Sequence, residues 1–244
     1  MSITPKQSRE FDVLAGRYED VLDSGLEVSG EDSTYFAAGR VRWLAGRLER
    51  LGLRPATVLD FGCGTGRTVP LLMEQLRPER VIGIDPSVES IRVAQSRYAG
   101  TRGIEFLTME AFAPQRQVDL VYTNGVLHHV RPVERDGLIA FVSRVLTAGG
   151  VWAVSDNTPW NPGARCVMRR LPFDRDAIPI RPGELVRLAA PHDLRLVVRD
   201  FLFVFPRSLS ALRWCEPWLC KLPLGAQYML LFRKSRGTQD GDGR

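Results

Sequence analysis

The stretch Val58-Leu59-Asp60-Phe61-Gly62-Cys63-Gly64-Thr65-Gly66 constrains the fold more than any other part of the chain. An apolar run that ends in a carboxylate and then breaks into glycines at every second position reads as a strand turning sharply into a helix. The glycines let a ligand approach the backbone, the helix start offers unpaired N–H groups, and Asp60 adds a charged acceptor beside them. The stretch predicts a cofactor site at the end of a first strand.

Strand and helix signals alternate on either side of this loop. Apolar runs mark strands at 56–61, 80–84, 104–107, 118–123 and 151–155. Helical periodicity begins at Val69 and is limited by Pro78, and it returns at 87–98 and about 133–147. Short connections between alternating elements predict an α/β fold with a mostly parallel sheet covered on both faces. Ligands of such sheets bind at the C-terminal strand ends, where Asp60, Asp85, Glu110, Asn124 and Asp156 all fall.

The flanks read as additions to one domain spanning 1–236. An amphipathic helix over 6–23, a polar mobile link at 24–34 and a helix from Tyr35 to Leu51 make an N-terminal cap within 1–50. The cofactor core occupies 56–156 and substrate-side elements occupy 157–236. Two late strands, 194–205 and 228–232, predict an antiparallel edge hairpin. The Leu- and Trp-rich insert 206–222 between them is expected to roof the substrate. Residues 237–244 read as a disordered tail.

With 244 residues, 44% hydrophobic and 25% charged, the chain can bury one sizeable core. No apolar run approaches the length of a membrane span and no leader-like segment opens the chain, so a cytoplasmic location is expected. The four cysteines are scattered without a CxxC pair, and Cys63 reads as a small reduced side chain. With only three histidines, no protein-built zinc site is expected.

The net charge of +5 is unevenly spread. Residues 1–35 carry eight acids against three bases, and 165–236 carry fourteen bases against six acids. The basic half fits either an anionic group on a substrate or a solvated face. Without a basic-aromatic repeat, nucleic acid is not an expected partner.

A dinucleotide site also uses a glycine loop and a later acid, which makes a NAD-dependent oxidoreductase the rival reading. Here the spacing is Gly-x-Gly-x-Gly, and Asp60 lies where it would repel a pyrophosphate. A sulfonium or an amino-acid group tolerates that charge.

The chain at this point resembles the class I S-adenosylmethionine-dependent methyltransferases, and is similar to their ubiquinone, menaquinone and natural-product branch. The resemblance is carried by Val58–Gly66, Val81–Ser87, Phe106–Ala111 and Val118–His129, with Phe11–Tyr18 similar to the family's N-terminal cap. It implies a Rossmann-like seven-stranded fold with S-adenosylmethionine as cofactor. It also implies that Asp60 holds the methionyl amino end, with Gly62, Cys63 and Gly64 giving close backbone contacts. Asp85 would accept the ribose hydroxyls, Pro86 would pack near adenine, and Glu110, flanked by Met109 and Ala111, would approach the adenine amino group. Asn124 would present backbone to the methionyl part and Tyr18 would close over its carboxylate. The residues alone leave other roles open: a helix cap for Asp85, a solvent-facing acid for Glu110, a core residue for Tyr18, a turn for Asn124.

Methyl transfer needs an in-line nucleophile, exclusion of water and, for a hydroxyl, a route for the proton. His128 and His129 follow strand four, beside the expected methyl group, and a neutral imidazole suits proton acceptance. His128 is the preferred base, with Asp156 either orienting it or forming a turn; capping and packing are the alternatives for the two rings. The acceptor is expected to be a small molecule, apolar with an anionic group and reacting through oxygen. Carbon methylation of an isoprenoid, quinone or polyketide remains open. So do a non-catalytic cofactor-bound module, transient membrane contact by the insert, and a monomer or homodimer. Arg169, Arg170 and Arg207 fit either an anion clamp or surface pairs with Asp174 and Asp176.

Overall fold

A computed structural model describes residues 12, 16–113, 115 and 117–236. Phe11, the first part of the expected 6–23 helix and the 237–244 tail lie outside the described residues. Seven strands form one sheet: β1 (Thr57–Phe61), β2 (Arg80–Asp85), β3 (Ile104–Thr108), β4 (Val118–Asn124), β5 (Leu146–Asn157), β6 (Leu194–Leu202) and β7 (Gln227–Lys234). Their order is β3-β2-β1-β4-β5-β7-β6. The first five run parallel, and β7 pairs antiparallel with both β5 and β6. The expected parallel sheet with an antiparallel C-terminal edge is therefore present. The chain reverses its lateral direction between β1 and β4, which opens a crevice at their C-terminal ends.

The helices are α1 (Tyr18–Leu26), α2 (Ser33–Arg50), α3 (Val69–Leu76), α4 (Val88–Arg97), α5 (Pro132–Val145), α6 (Pro162–Arg170), α7 (Pro182–Ala189) and the short α8 (Glu216–Leu219). Successive strand side chains point to opposite faces, so the strands divide their apolar residues between two cores. Val58, Leu120, Tyr122 and Leu231 pack with α2, α3 and α4, whereas Leu59, Val121, Trp152 and Phe232 pack with α5 and α7. By the same alternation Asp60 belongs to the α2 face. Among the described residues no helix is long and apolar enough to cross a membrane.

Three segments depart from the sequence reading. The 24–34 link is ordered: α1 runs to Leu26, a 3-10 turn follows at Glu27–Ser29, Gly30 takes a left-handed φ of 75°, and Asp32 caps α2 by accepting from the Tyr35 N–H at 2.7 Å. β5 begins at Leu146, before Gly149-Gly150, because its register with β4 shifts between Val118 and Leu120 and absorbs the extra residues as a bulge. The proline- and arginine-rich 157–180 stretch contains α6. There Asn161 accepts from the Ala164 N–H at 3.0 Å and Pro162 occupies the first turn.

Candidate active site

β1 ends at Asp60-Phe61 and the chain then turns through Gly62 and Gly64, both left-handed at φ 77° and 53°. A Cβ on Gly62 would lie 2.3 Å from Val126 Cγ2, whereas one on Gly64 would meet nothing within 4 Å. Gly62 therefore packs the loop against the β4 end, and Gly64 leaves its backbone open to a ligand. Asp85, at the end of β2, accepts from the Gly64 N–H at 2.9 Å and the Ser87 N–H at 2.8 Å. This cross-link fixes the loop on the strand ends.

Asp60 and Asp85 are both buried. Burial, with a smaller contribution from Asp85, raises Asp60 to about 7, and its Oδ2 has no hydrogen-bond partner. Burial raises Asp85 to about 6 against the lowering effect of its two backbone donors. The Cys63 thiol is pushed well up by burial and then by the two carboxylates, so it stays an inert thiol. These residues border a cavity of ≈170 Å³, together with Arg40 of α2, Pro86 and Asn124.

Asn124, Gly125, His129 and Arg40 also line a second cavity of ≈120 Å³, so the two adjoin. On its wall His128 Nδ1 lies 2.5 Å from Asp156 Oδ1, which also accepts from the Asn157 N–H at 2.7 Å. Asp174, in the 3-10 turn Pro172–Asp174, brings Oδ1 to 3.3 Å from His128 Nε2 and 3.4 Å from His129 Nε2. Burial alone would lower the His128 imidazole, but Asp156 and Asp174 outweigh it and push it up to about 10. Burial and then the charge on His128 push His129 down to about 2. In this cluster the two carboxylates favour the charged form of His128, and that charge together with burial favours the neutral form of His129.

Residues 58–150 match the family model described as a methyltransferase domain. Over 181 residues the chain is 30% identical to trans-aconitate 2-methyltransferase of Rhodopseudomonas palustris (strain BisB18), covering 66% of this chain and 68% of that relative. The chain belongs to the class I S-adenosylmethionine-dependent methyltransferases. The enzyme of the same name from Azoarcus sp. (strain BH72) is 32% identical over 145 residues, 58% of this chain and 56% of that protein. The chain thus spans little more than half the length of that curated relative. An S-adenosylmethionine-dependent methyltransferase from Mesorhizobium loti shares the fold, with a TM-score of 0.57, 19% identity and coverage of 81% of this chain and 100% of that one. The relatives named for trans-aconitate methylation are small-molecule methyltransferases and do not single out the ubiquinone and menaquinone branch.

The residues of this chain fit the family's cofactor: an orphaned carboxylate oxygen on Asp60, a glycine backbone facing open space, and Asp85 at the adjoining strand end. Asp60, Gly62, Cys63, Gly64, Asp85, Pro86 and Asn124 all line the first cavity. Met109, Glu110 and Ala111 do not line the cavity, and Glu110 is exposed; the Met109 N–H of their turn donates to the Asp85 carbonyl at 3.2 Å. Tyr18 opens α1, and its side chain lies outside the described residues. Arg169 and Arg170 are exposed at the end of α6, and Arg207 is exposed beside Gly30.

The expected roof is also placed elsewhere. No residue of 206–222 lines either cavity; α1, α2 and the 167–174 stretch cover the second one, while Arg213 of the insert pairs with Glu31 and stacks on Tyr35. Sequence reasoning missed Arg40 and gave Asp174 only a surface role. Arg40 is buried, donates to Gln227 Oε1 at 2.9 Å and leaves Nε unpartnered. Its signal is position: it lies on the buried stripe Ser33, Ala37, Arg40, Val41, Leu44 and Leu48 of α2.

Proposed function

We propose that this methyltransferase transfers a methyl group to an oxygen of a small, carboxylate-bearing acceptor. The adjoining of the two cavities at Asn124, Gly125 and His129 carries the reading, because it sets a cofactor cradle against a separate polar chamber. Bound S-adenosylmethionine supplies an electrophilic methyl group. On this reading Asp60 meets the methionyl amino group and Asp85 the ribose hydroxyls. The Gly62–Gly64 backbone lies along the ligand, Pro86 packs on the adenine, and the Met109–Ala111 turn borders its far edge. Tyr18 belongs to the helix that closes the methionyl end.

The acceptor side follows from charge and shape. Arg40, a buried cation lining both cavities, receives a carboxylate. Relatives named for trans-aconitate methylation favour the same acceptor class, a small polar acid over an isoprenoid. The narrower likeness to ubiquinone and menaquinone enzymes rests on the shared motifs alone. An ionised carboxylate oxygen attacks without losing a proton, so positioning and dryness supply most of the rate. His129 lines the path between the chambers, and His128, held by Asp156, supports it from behind. A hydroxyl acceptor is the second reading: Nε2 of His128, whose Nδ1 is held by Asp156, then acts as general base only after giving up the proton that Asp156 and Asp174 favour.

The test incubates the full chain with S-adenosylmethionine bearing a deuterated methyl group and a panel of small di- and tricarboxylic acids, hydroxy acids and quinols. Mass spectrometry should find a labelled methyl ester of an acid. Label only on a quinol carbon, or on no acceptor, contradicts the proposal.

A further inference from the structure

The second cavity contains a donor set that methyl transfer to a carboxylate does not require. One ring nitrogen of His128, one of His129 and a carboxylate oxygen of Asp174 all lie within 4.8 Å of one another. Oδ1 of Asp174 stands 3.3 Å and 3.4 Å from the two imidazole nitrogens. A tetrahedral Zn²⁺ with bonds of about 2.0–2.1 Å separates its ligand atoms by about 3.3 Å. The spacing of these pairs is that of ligands around one ion.

Three further observations point to a cation. Asp174 Oδ1 is buried and accepts no hydrogen bond of proper geometry, which leaves a carboxylate lone pair aimed at the two rings. Asp156 engages Nδ1 of His128, the arrangement in which a carboxylate orients a metal-binding imidazole and leaves Nε2 for the ion. The ligand-bearing segments are also tied together. The Ile178 N–H donates to the His128 carbonyl at 2.7 Å, and Arg135 spans the carbonyls of Val130 and Ile178. Such bracing holds ligand atoms in place before an ion arrives.

We propose that His128 Nε2, His129 Nε2 and Asp174 Oδ1 form a three-ligand site for a divalent transition metal of the Zn²⁺ class, with a fourth position open to the cavity. Two imidazoles and one carboxylate favour Zn²⁺ or Co²⁺ over Mg²⁺ or Ca²⁺, which prefer all-oxygen sites. The dication offsets the two buried carboxylates, Asp156 and Asp174, that flank His128. On the methyl-transfer reading the open position takes an acceptor oxygen; metal binding itself does not depend on that reading.

The test uses the tag-free full chain, stripped with chelator and dialysed, without cofactor or acceptor. It is titrated with Zn²⁺ and Co²⁺ by calorimetry, and Co²⁺ binding is also followed by visible absorption. The expected result is one ion per chain and the intense visible bands of four-coordinate Co²⁺. Asp174→Asn and His129→Gln should each weaken binding at least tenfold, and Asp156→Asn about 10–100-fold. Circular dichroism establishes that the stripped variants are folded, and His129→Gln decides the matter should Asp174→Asn not fold. Substoichiometric binding, or equal affinity in the wild type and a folded ligand variant, overturns the site and leaves a proton bridge in its place. Since no methyl donor is present, failure of methyl transfer would not produce either result.

Discussion

Arg135, fully buried on α5, donates from Nη2 to the carbonyl of Ile178 at 2.5 Å and so pins the segment after Asp174 to the segment after His129. Its Nε reaches the Val130 carbonyl at 3.1 Å and its Nη1 meets Glu184 at 2.9 Å. Arg135→Met would leave two carbonyls and a carboxylate without their donor. The expected loss is about 3 kcal/mol of stability, read as a lower urea midpoint. A change within a few tenths of a kcal/mol would remove Arg135 from the account of how the site is held.

The two loop glycines should fail in different ways. Gly62→Ala places a methyl group 2.3 Å from Val126 at a φ of 77°, so it should destabilise the fold itself, by about 2 kcal/mol or more in urea unfolding. Gly64→Ala meets open space at a φ of 53° and should cost only about 1–2 kcal/mol. Its larger effect should be on S-adenosylhomocysteine affinity, measured by calorimetry at a temperature where the variant is folded. Equal affinities for wild type and Gly64→Ala would mean that no ligand lies over this backbone.

The raised carboxylates make both stability and binding depend on pH. Asp60, at about 7, and Asp85, at about 6, bind protons in the folded chain that the unfolded chain releases near pH 4. Stability of the cofactor-free protein should therefore fall as pH rises from about 4 to about 7, and Asp60→Asn should flatten that slope. A cationic amino group beside Asp60 favours its ionised form. Binding of S-adenosylhomocysteine at pH 6.5 should therefore release protons, seen as a calorimetric enthalpy that varies with the buffer's own ionisation enthalpy. Buffer-independent heats at pH 6.5 would contradict this.

Asp156 borders the second cavity and not the first. Asp156→Asn should lower the methyl-transfer rate constant about a hundredfold by loosening His128, with affinity for S-adenosylhomocysteine unchanged within about twofold. Equal losses in rate and cofactor affinity would place its role in folding and not in positioning.

Much of this architecture was legible because the elements that build it are simple in pattern. β1 to β5 are short apolar runs separated by periodic helices, and a carboxylate at the end of such a run, as at Asp60 and Asp85, emerges where the sheet's crevice opens. The 162–174 segment was less legible. α6 has only nine residues and buries just Ala164 and Met168, so its arginines and prolines dominate the sequence and Asp174 reads as a surface acid. Arg40 and Arg135 carried a usable signal of another kind. Each charge sits on an otherwise apolar stripe, Arg135 with Leu138, Ile139, Val142 and Val145, where burial requires a specific partner. Local pattern could not reveal that 206–222 packs on α2, because that depends on where β6 ends, at Leu202, followed by the left-handed Phe203 at φ 61° against Phe36.

The most direct measurement is a calorimetric titration of the full chain with S-adenosylhomocysteine and, separately, with NAD, repeated on Asp85→Ala. The expected result is saturable binding of one S-adenosylhomocysteine per chain, weakened at least tenfold in the variant, and no heat from NAD. Binding of NAD without affinity for S-adenosylhomocysteine, or an Asp85→Ala variant that binds as tightly as the wild type, would contradict it.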